Sequence, residues 1–507
     1  MRGNFGIWTP GFAMIMMAAT AGLAQDTRTV IEPVAPATCT KLIAEKTGDG
    51  KKLAEVFEKT TDTARIQKAL NGCKPGMAVE LAAGEKTNAF LSGALEMVEG
   101  VTLLIDKGVT LYGSRDPKDY DSNPTGDGPL LCGTLSDVSA PYITAADAAK
   151  GGNTAQRPMV TPQMRGRQCK SLISVNVKNA AIMGDGVIDG RGGAQVMGHD
   201  YTWWQMARAA EPKQLRYYST KLITANHADG FVLYHITLHN SPNYHVTVNN
   251  TNGFTAWGVH LLTPTVRGTD ARNTDGIDPG SSTNITIANS WIDNGDDNIA
   301  IKTGVTHMSV LNNHFYDGHG MSIGSETFSG VSYLLVAGLT EDGTTSGIRI
   351  KSNAARGGLV HDLTYENICM RNVGMPIAIS PFYNNGTTEG FVDPGVVGDR
   401  IPDYKAITLR NIVALTPGDV LIAGKDAAHT TEITLDTITI NGIKPEQVHA
   451  QYTKAAVAHL NFELKGTGVV VTPAMLPAMG DAPGASMITV DPQTKLGQCA
   501  GVFPAMQ

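Results

Sequence analysis

Charge and aromatic rings are both scarce in this chain. Asp, Glu, Lys and Arg together make up 17% of its 507 residues, and Phe, Trp and Tyr only 6%. With 42% hydrophobic residues beside so few charges, the chain is no disordered polyelectrolyte. A net charge of −7 excludes a protein that coats nucleic acid. Beyond the N-terminus no uncharged apolar run reaches 18 residues, which excludes repeated membrane-spanning helices. The six cysteines (Cys39, Cys73, Cys132, Cys169, Cys369 and Cys499) contain no CxxC spacing, so neither a zinc site nor a dithiol redox site is expected of them. Glycine, by contrast, is plentiful, with 56 residues, well above the usual share of about 7%. That composition suits many tight turns between narrow layers. The length fits either several globular domains or one elongated solenoid.

Arg2 is the only charge before Asp26, and residues 11–24 (GFAMIMMAATAGLA) are apolar and end in small side chains. This is the plan of a signal peptide over residues 1–24, cleaved after Ala24; the run is too short, and lacks the basic stop, for a membrane anchor. The expected location is therefore extracellular. Export permits disulfides. Six cysteines allow many pairings, but loop closure favours partners close along the chain. Cys39–Cys73 and Cys132–Cys169 are the expected bridges.

Residues 25–80 read as an N-terminal segment with a short capping helix at 64–70, entered through Thr61-Asp62-Thr63 and carrying Ile66, Ala69 and Leu70 on one face. From 81 to 507 the helical period disappears and short alternating apolar segments recur. Taking Phe231, Phe254, Ile285, Met308, Leu334, Leu363, Ile407 and Ile433 as equivalent points, the steps are 23, 31, 23, 26, 29, 44 and 26 residues. A period in the low twenties, with Gly and Asn at the corners, marks an all-β fold built as a parallel β-solenoid, the longer steps holding inserted loops. The leucine-rich-repeat pattern is absent. A sandwich or propeller would not explain recurrent phrases such as Asn284-Ile285-Thr286-Ile287. Irregular stretches at 113–167, 192–215 and 383–404 are expected as rim loops that wall a cleft.

Four polar clusters interrupt the apolar ladder: Asn273-Thr274-Asp275-Gly276, Gly295-Asp296-Asp297-Asn298, Gly318-His319-Gly320 and Arg349-Ile350-Lys351. Asp275, Asp297 and His319 are each 22 residues from the next. One coil per step predicts a column of the three on one face, at the strand spacing of about 4.8 Å. Arg349, one modestly enlarged coil later, and Lys351 on the same strand face would extend that column. Three apposed carboxylates repel, so at least one pKa should rise. Hydrolysis of a glycosidic bond uses such a cluster, needing a protonated acid at the leaving oxygen and a base to activate water. A single Asp here would read as a turn cap, and acids alone would suit calcium. Register with a His, an Arg and a Lys favours catalysis.

These four motifs, in this order and spacing, closely resemble glycoside hydrolase family 28, the polygalacturonases. The phrases NTDGIDPGSS (273–282), GHGMSIGSE (318–326) and GIRIKS (347–352) are most similar to those of bacterial endo-acting members. The resemblance implies a right-handed parallel β-helix that hydrolyses α-1,4-galacturonosyl bonds of de-esterified pectin with inversion, without metal or other cofactor. It implies Asp296 as general acid, Asp275 and Asp297 as holders of the attacking water, and His319 as the residue that orients or tunes the acid. Asn273, Arg349, Lys351 and Tyr383 would bind substrate, the two cations through the uronate carboxylate. Because the protein is net negative, only the cleft need be positive; Arg267, Arg272, Lys302 and Arg356 are further candidates for its lining. His245, a lone histidine, stays outside the catalytic set. The expected partner is pectin polysaccharide, for a monomer that engages neither nucleic acid nor membrane. The rivals are an exo-polygalacturonase or rhamnogalacturonan hydrolase, a calcium-dependent pectate lyase, and a non-catalytic polysaccharide-binding solenoid.

Overall fold

The computed structural model describes residues 25–50, 52–139, 167–210, 215–263, 271–384, 392–474 and 499–506. The expected signal peptide at 1–24 lies outside them, as do Arg267 and parts of the expected rim loops at 113–167 and 383–404.

The chain winds as a three-sided parallel coil. One side is an eleven-stranded sheet running from Leu95–Glu96 through Ile277–Gly280, Ile299–Ile301, Met321–Gly324 and Ser346–Lys351 to Val448–Gln451. The other two sides merge into a 22-stranded sheet, because long strands such as Leu359–Arg371 and Asp403–Ala414 belong to both. The irregular sequence steps are one coil each: Ile285 pairs with Met308, Met308 with Leu334, Leu334 with Leu363, Leu363 with Ile407 and Ile407 with Ile433. Phe231 and Phe254 begin the same inward row, their rings stacked at 5.6 Å. On the eleven-stranded side Ile277, Ile299, Met321, Ile348 and Ile377 form an equivalent buried row. Period-two alternation thus fills the tube with branched apolar side chains and turns the intervening residues outward.

The corners explain the Gly and Asn content. Asn289, Asn312, Asn367 and Asn411 follow paired strand residues on successive coils and all adopt left-handed φ, with Gly338 between them at the same corner. Asparagine tolerates that region better than other side chains, and Asn411 Nδ2 donates to Asn367 Oδ1 at 2.7 Å.

The parallel sheet begins before residue 81, since strand Thr38–Ile43 pairs with Ala78–Ala82. Helix α1 (Thr63–Gly72) buries Ile66, Ala69 and Leu70 as its periodicity predicts. Asp62 stands at the N-cap position without capping; its carboxylate instead takes Lys46, Arg65 and the Leu91 amide, tying the helix to the first coils. A second helix, α2 (Trp203–Ala210), occupies the stretch expected as loop at 192–215. Trp203, Met206, Ala207 and Ala210 carry its buried face at helical spacing. Beside it, Leu135–Ser139 and Leu215–Tyr217 pair antiparallel, against the direction of the coil. Both expected disulfides form, and Cys369–Cys499 ties the C-terminal residues to the long strand at Leu359–Arg371. Among the described residues no helix is long and apolar enough to cross a membrane.

Candidate active site

The clusters converge on the outer face of the eleven-stranded sheet, at the start of its central strands. Ile277 pairs with Ile299 and Ile299 with Met321, so two residues earlier Asp275, Asp297 and His319 stand in register as the 22-residue spacing predicts; Gly276 N donates to Asp297 O across that step. The next coil departs from expectation. Met321 pairs with Ile348, 27 residues on, which sets Ser346 beside His319 and Arg349 beside Ser322. The cations do not extend the column. They stand further along the strand, in the outward rows of Asp278 and Gly280, and reach back into the site through their long side chains.

Asp297 is the electrostatic centre. It is 1% exposed, and its two oxygens accept from Arg349 Nη1 at 2.7 Å and Lys351 Nζ at 2.8 Å. Burial alone would raise its pKa, but Lys351 and Arg349 outweigh that and hold it below the ordinary carboxylate range. Asp296 lies with His319 Nδ1 3.2 Å from its Oδ1 and Asn273 Nδ2 3.4 Å from its Oδ2. It too is held low: His319, Lys351 and Arg349 overcome its burial. Asp275 is the opposite case. Its Oδ1 is buried without a hydrogen-bond partner, and burial together with the negative charges of Asp296 and Asp278 drives its pKa well above the usual value. The anticipated rise therefore falls on Asp275, the acid that no cation grips.

Asp296 and Asp297 both reach the site because the chain turns tightly after Gly295. The glycine is required by close approach rather than by unusual φ, since a Cβ there would lie 1.9 Å from Ala271 O. Tyr383 sits at the edge of the site, its half-buried ring 5.3 Å from Lys351 Nζ, and burial pushes its phenol up to about 12. Asn273 is itself positioned: its Oδ1 accepts from Tyr217 Oη, which in turn accepts from Asn243 Nδ2, both at 2.9 Å. Sequence reasoning missed Tyr217, Asn243 and Asp278. Asn243 lies in the phrase Ser241-Pro242-Asn243-Tyr244-His245, but Tyr217 comes from an irregular stretch and carries no signal. His245 is a buried peg, with Nδ1 donating to the Thr274 and Asp275 carbonyls and Nε2 accepting from Thr263. Burial lowers its pKa to about 4, so it is neutral.

Asp296, Asp297 and His319 offer ligand atoms within 4.8 Å of one another, enough to collect a metal ion. The fit is poor, because both oxygens of Asp297 already pair with cations that a metal would have to displace.

The family described as glycosyl hydrolases family 28 matches residues 149–459. An endo-polygalacturonase of Pectobacterium carotovorum subsp. carotovorum is 37% identical over 441 residues, covering 86% of this chain and 94% of that protein. A polygalacturonase of Ralstonia nicotianae is 36% identical over 421 residues, or 76% of this chain and 73% of that one. The solved polygalacturonase from Erwinia carotovora ssp. carotovora superimposes with a TM-score of 0.68 at 36% identity, covering 87% of this chain and all of that one. With its parallel β-helix and its outward cluster of acids and cations, this chain belongs to glycosyl hydrolases family 28.

Proposed function

We propose that the protein is an exported endo-polygalacturonase that hydrolyses α-1,4-galacturonosyl bonds of de-esterified pectin with inversion. The observation that carries this reading is the grip of Arg349 and Lys351 on Asp297, with Asp275 and Asp296 beside it. Three acids supply proton and base, and two cations at the same spot suit a substrate that bears a carboxylate on every sugar. The endo-polygalacturonase relative, alike over most of both chains, supports internal cleavage.

The reactive state holds one proton on Asp296 with Asp275 ionised. In the free site the balance lies the other way, Asp275 being raised and Asp296 held low. A galacturonate carboxylate entering beside Arg349 and Lys351 neutralises the charges that depress Asp296, and the sugar excludes water, so the proton moves to Asp296. Asp296 then gives it to the glycosidic oxygen as the bond from C1 to that oxygen breaks. Water attacks C1 from the opposite face and loses a proton to Asp275, which restores the starting state. Asp297, its oxygens committed to two cations, is the weaker base and orients the water and the Arg349–Lys351 pair. His319 positions Asp296, and Tyr383 offers a ring face to a sugar.

Product analysis on polygalacturonic acid with chelator present tests the reading. The expected result is a rapid fall in viscosity with few new reducing ends and no gain in ultraviolet absorbance. Slow thinning with released monomer or dimer would mean exo-action. Activity that returns only with calcium, with absorbance rising, would mean elimination by a lyase.

A further inference from the structure

One group at the site is not carried by the coil. Tyr217 stands on the antiparallel ribbon of Leu135–Ser139 and Leu215–Tyr217, where it pairs with Leu135. The next residue anchors it: Gly133 N donates to Tyr218 O at 2.8 Å and Tyr218 N to Thr134 O at 3.0 Å, beside the Cys132–Cys169 bridge. Burial, with the charges of Asp275 and Asp296, holds the phenol above its ordinary range, so it keeps its proton. That proton has one destination. Asn243 Nδ2 already donates to Tyr217 Oη, and the phenol in turn donates to Asn273 Oδ1.

The bond decides which way the Asn273 amide faces. With its oxygen held by the phenol, its Nδ2 points to Asp296 Oδ2 at 3.4 Å. A reversed amide would set Nδ2 against a phenol oxygen that already takes Asn243 Nδ2, deprive the phenol proton of its acceptor, and turn Oδ1 toward Asp296. The reversal matters when Asp296 is the acid. Its Oδ1 accepts from Asp297 N at 2.9 Å and faces His319 Nδ1 at 3.2 Å, so the transferable proton belongs on Oδ2, the oxygen with only the long contact to Asn273. An amide oxygen beside Oδ2 would accept that proton and withhold it from the glycosidic oxygen. An amide NH2 has no lone pair free to do so.

We propose that Tyr217 is a positioning residue for the acid step: it locks Asn273 with the amide nitrogen toward Asp296, so that the proton on Oδ2 is free to pass to the glycosidic oxygen. This deepens, and rests on, the polygalacturonate reading above. The test is a double-mutant cycle on polygalacturonic acid. Tyr217→Phe deletes only the hydroxyl, and Asn273→Gly deletes the amide at a position whose φ of 54° suits glycine. Tyr217→Phe should lower kcat about tenfold and leave KM within about threefold of wild type, since the phenol bonds to Asn273 and not to sugar. In Asn273→Gly enzyme the same change should cost less than about twofold. Asn243→Leu removes the donor that turns the phenol proton to Asn273; it should lower kcat about threefold, again only while Asn273 is present, and it supplies the same test should Tyr217→Phe not fold. A loss that persists in the Asn273→Gly background, or one carried by KM, would overturn the inference and leave Tyr217 a wall of the cleft or a contact to substrate. An unchanged kcat would overturn it too. Wild-type enzyme inert on polygalacturonic acid would instead sink the polygalacturonate reading, and this inference with it.

Discussion

The strands Ile277–Gly280, Ile299–Ile301, Met321–Gly324 and Ser346–Lys351 carry opposite chemistry on their two faces. Inward, Ile277, Ile299, Met321 and Ile348 repeat nearly the same side chain at 0% exposure. Outward, the neighbouring residues Asp278, Ala300, Ser322 and Arg349 share nothing except register. The inner face repeats because each coil solves the same packing problem against the last. The outer face leaves Thr247 Oγ1, Asp278 Oδ1 and Ser322 Oγ buried and unpaired, with Asp275 Oδ1 close by in the same condition. Such orphans cost stability; others are scattered over the molecule, at Tyr112, Trp291 and Arg410 among them, but these four lie at the candidate site, where binding rather than packing can dictate the residues. The tube interior also holds an acid, on a strand of the 22-stranded sheet. Glu341 faces the tube interior beside Phe315, its Oε1 accepting from Met321 N and its Oε2 unpaired.

The sharpest way to break this contrast is on the outer face. Asp296→Asn should lower kcat at least about 100-fold, because it removes the transferable proton and little volume. Affinity for polygalacturonate and the unfolding temperature should stay near wild type; turnover within tenfold of wild type would remove Asp296 from the acid role. A smaller effect is expected from Lys351→Met, which should raise KM about tenfold by removing a charge-assisted contact to the uronate. It also deletes a cation that holds Asp296 and Asp297 low. Both pKa values should rise; because Asp296 must be protonated to act, the alkaline limb of the kcat profile should move to higher pH, and an unmoved limb would show that Asp296 does not set it.

The smallest effect is expected inside. Burial raises Glu341 from 4.5 to about 8, against the Met321 amide, which favours its charge. The native state then binds this proton more tightly than the unfolded chain. The resulting loss of stability starts as pH passes about 4.5 and is complete above 8. Glu341→Gln should therefore raise Tm by a few degrees at pH 8.5, change it little at pH 4.5, and leave kcat/KM intact. A Tm difference that does not vary with pH would mean that Glu341 is not titrating in the fold.

Much of this was legible without coordinates where contacts follow from a regular period. The row from Phe231 to Ile433 and the column of Asp275, Asp297 and His319 depend on counting residues per coil, and the α1 face on the helical period; each falls where its period predicts. The misreadings came where local periodicity was overlooked or broken. Trp203, Met206, Ala207 and Ala210 do show a helical spacing, but it is only two turns long and sits among loop residues, so α2 was hidden in an expected rim loop. The coil from Met321 to Ile348 is five residues longer than the one before it, and that difference moved Arg349 and Lys351 out of the catalytic column. Tyr217 reaches Asn273 from an antiparallel ribbon that no coil arithmetic anticipates.

The sequence alone determined the solenoid, the two short-range disulfides and the acids that share a column, because these follow from spacing and local closure. Only the tertiary structure decided which acid bears the proton. That depends on where two long cationic side chains end: they reach Asp297, hold Asp296 low with the help of His319, and leave Asp275 buried with no cation bonded to it, the charge of Lys302 being outweighed by burial and the neighbouring acids. Electrostatic interactions in a buried site change over a few ångströms, and residue spacing cannot specify distances that fine.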